Sequence, residues 1–440
     1  MLRRIAMLVV VLAITAVGVL AGKPGEIFRQ AVAATDYRQL QKFSRVMEII
    51  RNSYVEEVTD EELVDGALSG MLSGLDPHSA YLDKDMYRQM QVDTRGKFGG
   101  LGIEIVAAEG GIRVVTPIED TPADRAGIKA GDLIIKINDE LAKDMTLPEA
   151  VKMMRGKPGT SIRLTIFRES AAAEGPLEFT IVRAVIHVKS VKADMLAPGY
   201  AYLRITQFQE KTDTLLKKQI AELKKRAGGR LHGAVLDLRN NPGGLLDQAV
   251  MVSDLFLDKG GIVSTKSRMG KNLSFSANRG DVLRGLPLVV LVNHGSASAS
   301  EIVAGALQDN HRAVLVGTQT FGKGSVQSVV PLNDGTAFKL TTALYFTPSG
   351  RSIQATGITP EIIVEPVQVA VSEKKGGPKF PSISERDLRG HLENGSARKT
   401  KAADKGEPSA AMKKRLSRDT QLQRALDLLR GLNALYGARG

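Results

Sequence analysis

The chain has 440 residues, 43% apolar and 25% charged, which gives room for two or three domains with real cores. Its net charge of +12 is local: 16 Lys/Arg against 8 Asp/Glu lie from Glu373 to the end, so the rest carries only +4. With no Trp either, it offers neither the basic face nor the stacking surface of a nucleic-acid-binding fold. The lack of cysteine excludes a thiol nucleophile, disulfides and thiolate metal sites, and suits an exported protein that must not depend on redox state. Six scattered histidines show no ligand spacing, which argues against a metal site, and no organic cofactor is implied.

Arg3 and Arg4 precede an apolar run from Ile5 to Ala21. This reads as an export signal or a short membrane anchor over residues 1–33, at the lower edge of what spans a bilayer. Val19-Leu20-Ala21 and Ala31-Val32-Ala33 are both permissible cleavage sites, and cleavage is left open. The expected location is the periplasm or the outer face of the cytoplasmic membrane. Residues 34–95 read as a helical region: Phe43, Val46, Met47 and Ile50 share a face, and Thr59-Asp60-Glu61-Glu62 caps a helix from Glu61 to Leu72. Gly74 to Ser79 is a turn, and His78 reads as a turn residue rather than a catalytic one.

Residues 96–186 read as a separate module. Gly99-Gly100-Leu101-Gly102 precedes a strand from Ile103 to Val106; further strands are expected at Ile112–Val115, Leu133–Ile137 and Ser161–Arg168, with a helix over Leu147–Met154. The run TPADRAGIKAGDLIIKIN resembles a bacterial PDZ domain. The N–H groups of Leu101, Gly102 and Ile103 are then the candidate holders of a terminal carboxylate, with the peptide added as a strand beside Ile103–Val106. No helix follows these glycines, which argues against a dinucleotide fingerprint. Arg155 ends the helix, where a cation complements the helix dipole; the sharper expectation is that it senses bound peptide and couples the module to the active site.

Residues 187–368 alternate strand and helix. Strands at Tyr200–Ile205 and Gly233–Leu238 flank a helix over Thr212–Lys225, and Arg239-Asn240-Asn241-Pro242-Gly243-Gly244 leads into a helix from Leu245 to Phe256. Two glycines between a strand and a helix expose backbone N–H groups that suit an oxyanion. Leu286 to Val292 is a strand delivering Ser296, Ser298 and Ser300, followed by a helix with Ile302, Val303, Ala306 and Leu307 on one face. Ala313 to Val316 is a short buried strand, and Gly322-Lys323-Gly324 and Gln327 follow.

A serine hydroxyl needs a base, and a lysine serves only if uncharged. That requires a drop of about 3 pKa units, or about 4 kcal/mol, from burial in an apolar surround without a nearby carboxylate. Lys323 has Phe321, Val326, Val329 and Val330 around it and no acid close in sequence, and Gln327 can accept from the amine without adding charge. Read separately, Ser298 with Glu301 is an S-x-x-E capping box and Lys323 a loop lysine. His294 and His311 are the competing bases, without a buried orienting acid in view.

GSASASEIVAGALQD followed by TFGKGSVQ resembles the core of the carboxy-terminal processing proteases, the S41 serine peptidases. The resemblance implies Ser298 as nucleophile, Lys323 as base, 25 residues on, and Gln327, four further, as its orienting residue. It also implies an oxyanion hole from the N–H of Ala299 with that of Gly243 or Gly244. The implied fold is α+β and multidomain: a helical N-terminal arm that packs on its neighbours or dimerises, a PDZ β-sandwich or barrel-like module, and an α/β protease core of the crotonase or ClpP type. The implied activity is an exported endopeptidase cutting proteins near their C-terminal ends, with the PDZ domain recognising that end and gating activity. Its partners are protein or peptide substrates with free C-termini; membrane association through the N-terminal segment, a homo-oligomer and a regulatory adaptor stay open. The competing classes are a non-catalytic PDZ adaptor or chaperone for exported proteins, and acyl transfer on a small thioester, for which no CoA-binding motif is evident. Residues 369–418, rich in Lys, Gly, Ser and Pro, read as a flexible basic linker. Residues 419–440 read as an amphipathic helix with Leu422, Ala425, Leu426, Leu429 and Leu432 on one face, docking on its own domain or on a second copy.

Overall fold

The computed structural model describes residues 24–118, 120–170, 175–366 and 406–436. They fall into two units, residues 1–83 with 329–340, and residues 84–328 with 341–440. The export segment, most of the basic linker and the last residues of the chain lie outside the described residues. Among the described residues no helix is long and apolar enough to cross a membrane.

In the first unit, α1 (Pro24–Ser53) and α2 (Asp60–Ser73) are joined by a short turn. Thr59 starts α2 as expected: its hydroxyl accepts the Glu62 N–H at 3.2 Å, and the Glu62 carboxylate accepts the Thr59 N–H at 2.8 Å. Phe43 and Val46, on the apolar face read from the sequence, are exposed on α1. β1 (Ala80–Leu82) pairs antiparallel with Ala337–Lys339, and the Tyr81 hydroxyl donates to Asp65 at 2.7 Å.

The second unit opens with α3 (Lys84–Arg95), β2 (Lys97–Gly100), β3 (Ile103–Ala108), β4 (Gly111–Pro117), α4 (Pro122–Arg125), β5 (Leu133–Ile137), β6 (Glu140–Leu141), α5 (Leu147–Met154), β7 (Ser161–Phe167), β8 (Leu177–Val182) and β9 (Ala184–His187). β3-β4-β5-β7-β8 form an antiparallel sheet, with β6 on β5 and β2 paired separately with β9. Alternating apolar positions, Ile112 and Val114, Ile134, Ile162, Leu164 and Ile166, turn inward onto Ala150 and Met154 of α5. This is a closed module with its own core, and β3 is an edge strand.

The chain continues as β10 (Val191–Ala197), β11 (Tyr200–Ile205), α6 (Thr212–Arg226), β12 (Gly233–Asp237), α7 (Leu246–Asp254), β13 (Gly261–Ser267), β14 (Leu273–Ser276), β15 (Leu288–Val292), α8 (Ala299–Asp309), β16 (Val314–Gly317), β17 (Ser325–Pro331), β18 (Ala337–Phe346), β19 (Ile362–Ile363), α9 (Ala410–Leu416) and α10 (Thr420–Tyr436). The central sheet runs β10-β11-β12-β15-β16-β19, parallel from β11 onward. Its inner strands are apolar at nearly every position because both faces are covered. Leu203, Leu236, Val290 and Leu315 face α6, α7 and α8 through Leu216, Ile220, Val252, Val303 and Leu307. Tyr202, Val235, Val289 and Val316 face α9 and α10 through Met412, Leu422, Ala425, Leu426 and Leu429.

The terminal helix therefore docks on its own domain through the face read from the sequence. The linker reading needs a correction at its end. α9 falls inside the stretch taken as flexible; Ser409 caps it by accepting the Met412 N–H at 3.1 Å, and Met412 is buried. A seven-residue helix with two apolar anchors, Met412 and Leu416, is too short to stand out from a basic, polar background.

Candidate active site

Ser298 lies at the turn from β15 into α8, the first residue before the helix, with φ 55° and ψ −112°. A non-glycine residue there costs about 1–3 kcal/mol and persists only where its surroundings impose it. Several bonds do so. Ala297 N–H donates to the Asn241 carbonyl at 3.0 Å and Ser300 Oγ donates to the same carbonyl at 2.9 Å. Ser296 Oγ donates to the Leu238 carbonyl at 2.9 Å. The outer serines of the S-A-S-A-S run are thus wholly buried and bonded to the neighbouring loop, and the middle one, partly accessible, stands at the turn.

That neighbouring loop is Asn240–Gly244. Asn240 and Asn293 bond to each other twice, N–H to Oδ1 at 2.9 Å and Nδ2 to Oδ1 at 2.8 Å. Gly243 has φ 104°, and a Cβ added there would stand 2.9 Å from Ser298 Cβ and 3.0 Å from Ala299 N. The position is glycine because any side chain would strike the Ser298 turn. Gly243 N–H donates to Asn241 Oδ1 at 3.0 Å. The N–H groups of Gly244 and Ala299 meet no acceptor among the described residues. Ala299 is the first helical residue, where an N–H has no partner within the helix.

Glu301 is fully buried and joins the serine turn to the lysine loop. Its Oε2 accepts the Ser298 N–H at 2.8 Å and the Lys323 N–H at 2.9 Å; its Oε1 accepts the Gly322 N–H at 2.7 Å and the Thr320 hydroxyl at 2.5 Å. The capping reading of Ser298–Glu301 holds for the carboxylate half, while the Glu301 N–H reaches the Ser298 carbonyl at 2.8 Å. No acid lies close to Lys323 in sequence, but in the fold one carboxyl group lies beside its backbone, with four donors on its two oxygens, as many as those oxygens can accept. Lys323 is itself half-buried, and Gln327, on β17, donates from Nε2 to the Ser325 hydroxyl at 2.8 Å. His294 and His311 are both exposed, the latter past the far end of α8.

The model of peptidase family S41 matches residues 199–364, a PDZ-domain model residues 107–168, and the activating protease CtpB N-terminal domain model residues 23–86. A carboxy-terminal-processing protease of Bartonella bacilliformis is 48% identical over 398 residues, covering 90% of this chain and 89% of the relative. The chain belongs to the carboxy-terminal processing proteases of family S41. The carboxy-terminal processing protease CtpA of Bacillus subtilis is 38% identical over 341 residues, 77% of this chain and 72% of that protein. Among solved structures, the photosystem II D1 C-terminal processing protease is 30% identical, with a TM-score of 0.45, covering 72% of this chain and 86% of that one. This processing protease is thus a serine-type peptidase with a helical N-terminal region, a PDZ domain and an α/β core, the fold class expected from the sequence.

In the PDZ domain, Leu101 is buried and Gly102 has φ 82°, with Thr121 where a Cβ would stand. Leu101 and Gly102 N–H groups meet no acceptor among the described residues. Ile118 N–H bonds to Gly102 O at 2.8 Å, which fixes the register of Ile103 opposite Pro117 and turns the Ile103 N–H to the open edge. Arg155 caps α5, lies over the Phe98 ring at 4.7 Å and donates to Gln89 of α3.

Sequence reading missed a buried charge cluster at the end of β12. Arg239 donates to Asp237 at 2.9 and 2.8 Å, to Asp419 at 2.9 and 2.7 Å and to Gln421 at 2.9 Å. Arg204, Arg415 and the Tyr202 hydroxyl also reach Asp237. Burial alone would raise the Asp237 carboxyl, but its bonds to Arg239 outweigh this and hold it below the ordinary range; the same balance holds for Asp419. The D-L-R spacing is visible in the sequence, but Asp419 lies 180 residues further on.

Proposed function

We propose that this processing protease is an exported Ser/Lys endopeptidase that cuts protein substrates near their C-terminal ends. The observation that carries the reading is the strained Ser298 turn facing the Gly243–Gly244 loop, with the Lys323 backbone bonded to the same carboxylate oxygen as the Ser298 backbone. In the proposed reaction, uncharged Lys323 takes the Ser298 hydroxyl proton as Oγ attacks the scissile carbonyl. The negative charge that develops on the carbonyl oxygen is met by the N–H groups of Ala299 and Gly244, the two donors left without internal acceptors. Gly243 serves by its lack of a side chain, since its own N–H is already given to Asn241. The Lys323 ammonium then protonates the leaving amine, and water, deprotonated by the restored amine, releases the acyl group. Gln327 orients the amine from β17.

The PDZ domain takes the substrate's terminal carboxylate on the Leu101–Gly102–Ile103 N–H groups and its chain along the edge of β3. Arg155 joins α5 to α3, the helix preceding the domain, and so transmits occupancy toward the core. The basic and apolar leader puts the enzyme outside the cytoplasm. Incubation with a tailed protein, with C-terminal ends read by mass spectrometry, tests the function. New ends in wild type and none in a folded Ser298→Ala variant are expected. Cleavage by Ser298→Ala, or folded wild type that neither cleaves nor reacts with a serine-directed phosphonate, would overturn it.

A further inference from the structure

Glu301 does more than a helix cap requires. One N–H of the first turn needs an acceptor at that position, and a solvated side chain suffices for it. Here the carboxylate is fully buried, and three of its four donors come from residues 320–323, on the far side of the intervening helix and strand. Thr320 is fixed in turn: its Oγ accepts the Ile358 N–H at 2.7 Å, which directs the hydroxyl proton to Glu301. Gly322 and Lys323 therefore take their place from a side chain that also holds the main chain of Ser298. A buried N–H left without its acceptor is costly, so the carboxylate fixes three backbone groups at once.

Resting on the Ser298/Lys323 reading, we infer that Glu301 is the positioning residue of this protease, setting the distance between nucleophile and base through a single carboxylate rather than through direct contact with substrate. The Ser298 conformation at φ 55° is also supported by the Asn241 carbonyl, and the lysine loop by the Phe321 N–H on the Ser296 carbonyl and the Ala355 N–H on the Gly322 carbonyl. Glu301 adds the one side chain that bonds to the main chains of both Ser298 and Lys323. The geometry makes the carboxylate, not its size or its cap, the requirement: an amide of the same shape offers one acceptor and turns an N–H₂ group onto donors on the other side. Glu301 is wholly buried and the four donors to its oxygens are all internal, so substrate binding is spared while the chemical step is not.

The test is Glu301→Gln, with kcat and KM measured on a tailed peptide, the rate of phosphonate labelling of Ser298, and the thermal midpoint. The expected result is kcat about 10²-fold lower, the loss attached to a misplacement near 1 Å. KM should be unchanged and labelling should slow in parallel. Thr320→Val, which removes one donor and keeps the shape, is expected to lower kcat about 10-fold at unchanged KM, and Thr320→Ser to restore it; this series carries the test should Glu301→Gln not fold. A folded Glu301→Gln with wild-type kcat and labelling, or a Thr320 series that moves only the thermal midpoint, would overturn the inference. Ser298→Ala and Lys323→Ala are run alongside. If both are inactive while Glu301→Gln is normal, only the positioning role fails; if either retains activity, the Ser/Lys reading itself fails.

Discussion

The main-chain N–H of Ser298 and the main-chain N–H of Lys323 donate to the same oxygen, Glu301 Oε2, at 2.8 and 2.9 Å. Residues 25 apart in sequence are thereby made neighbours by backbone geometry, before the reach of either side chain is considered.

The approach of the two loops sets the first prediction. Gly243→Ala puts a methyl group 2.9 Å from Ser298 Cβ and at a φ that side chains rarely adopt. Activity should fall by 10²-fold or more, in the range of a lost oxyanion donor, with the protein still folded. Phosphonate labelling of Ser298 checks it; labelling at the wild-type rate would show that the Gly243 loop does not need to approach the serine.

The buried charge cluster sets the second. Asp237→Asn leaves Arg204 without its carboxylate and Arg239 and Arg415 with Asp419 alone, and should cost about 3–5 kcal/mol, the loss seen when one member of a buried pair is removed. The pH dependence follows in sign. Asp237 and Asp419 are held below the ordinary aspartate value of 3.8 when folded, so their contribution is complete above that value and is lost as pH falls below it. Thermal midpoints from pH 7 to pH 3 should decline at the acid end more steeply in wild type than in Asp419→Asn. Equal slopes would mean the cluster is not a source of acid sensitivity.

Much of this was legible beforehand. The α/β alternation, the PDZ strands and the serine turn follow from apolar periodicity and glycine placement, and the terminal helix was read with the correct face. The parts that were not legible are those made by distance in the chain. Glu301 was visible only as a cap, because its other donors arrive from Thr320 onward. Arg239 gave no sign of Asp419, and α9 was lost in a basic stretch. Lys323 has no acid close in sequence, and Glu301 reaches its backbone N–H from 22 residues away, a contact made only by the fold.

The docking of α10 sets the third prediction. Leu429 is fully buried against the second face of the sheet, packed with Leu422, Ala425 and Leu426. Leu429→Ala should destabilise the core by about 2–5 kcal/mol, while Leu435→Ala, 70% exposed, should be neutral. Chemical denaturation distinguishes them; equal effects would contradict docking of this face.

The coupling proposed for Arg155 sets the fourth. Its bond to Gln89 and its stacking on Phe98 are lost in Arg155→Ala. Cleavage of a tailed substrate should slow several-fold, with little change for an unstructured substrate lacking the preferred end. Unchanged cleavage of the tailed substrate removes the coupling role and leaves Arg155 as a helix cap.

The most direct measurement of the central claim is the single-turnover cleavage rate of Lys323→Ala on a tailed peptide, on protein shown to be folded by its thermal transition. The account predicts a loss of about 10²–10⁴-fold, the contribution of a positioned general base, with peptide binding to the PDZ domain unchanged. A rate within a few-fold of wild type would contradict it, because the proton of Ser298 would then be leaving by another route.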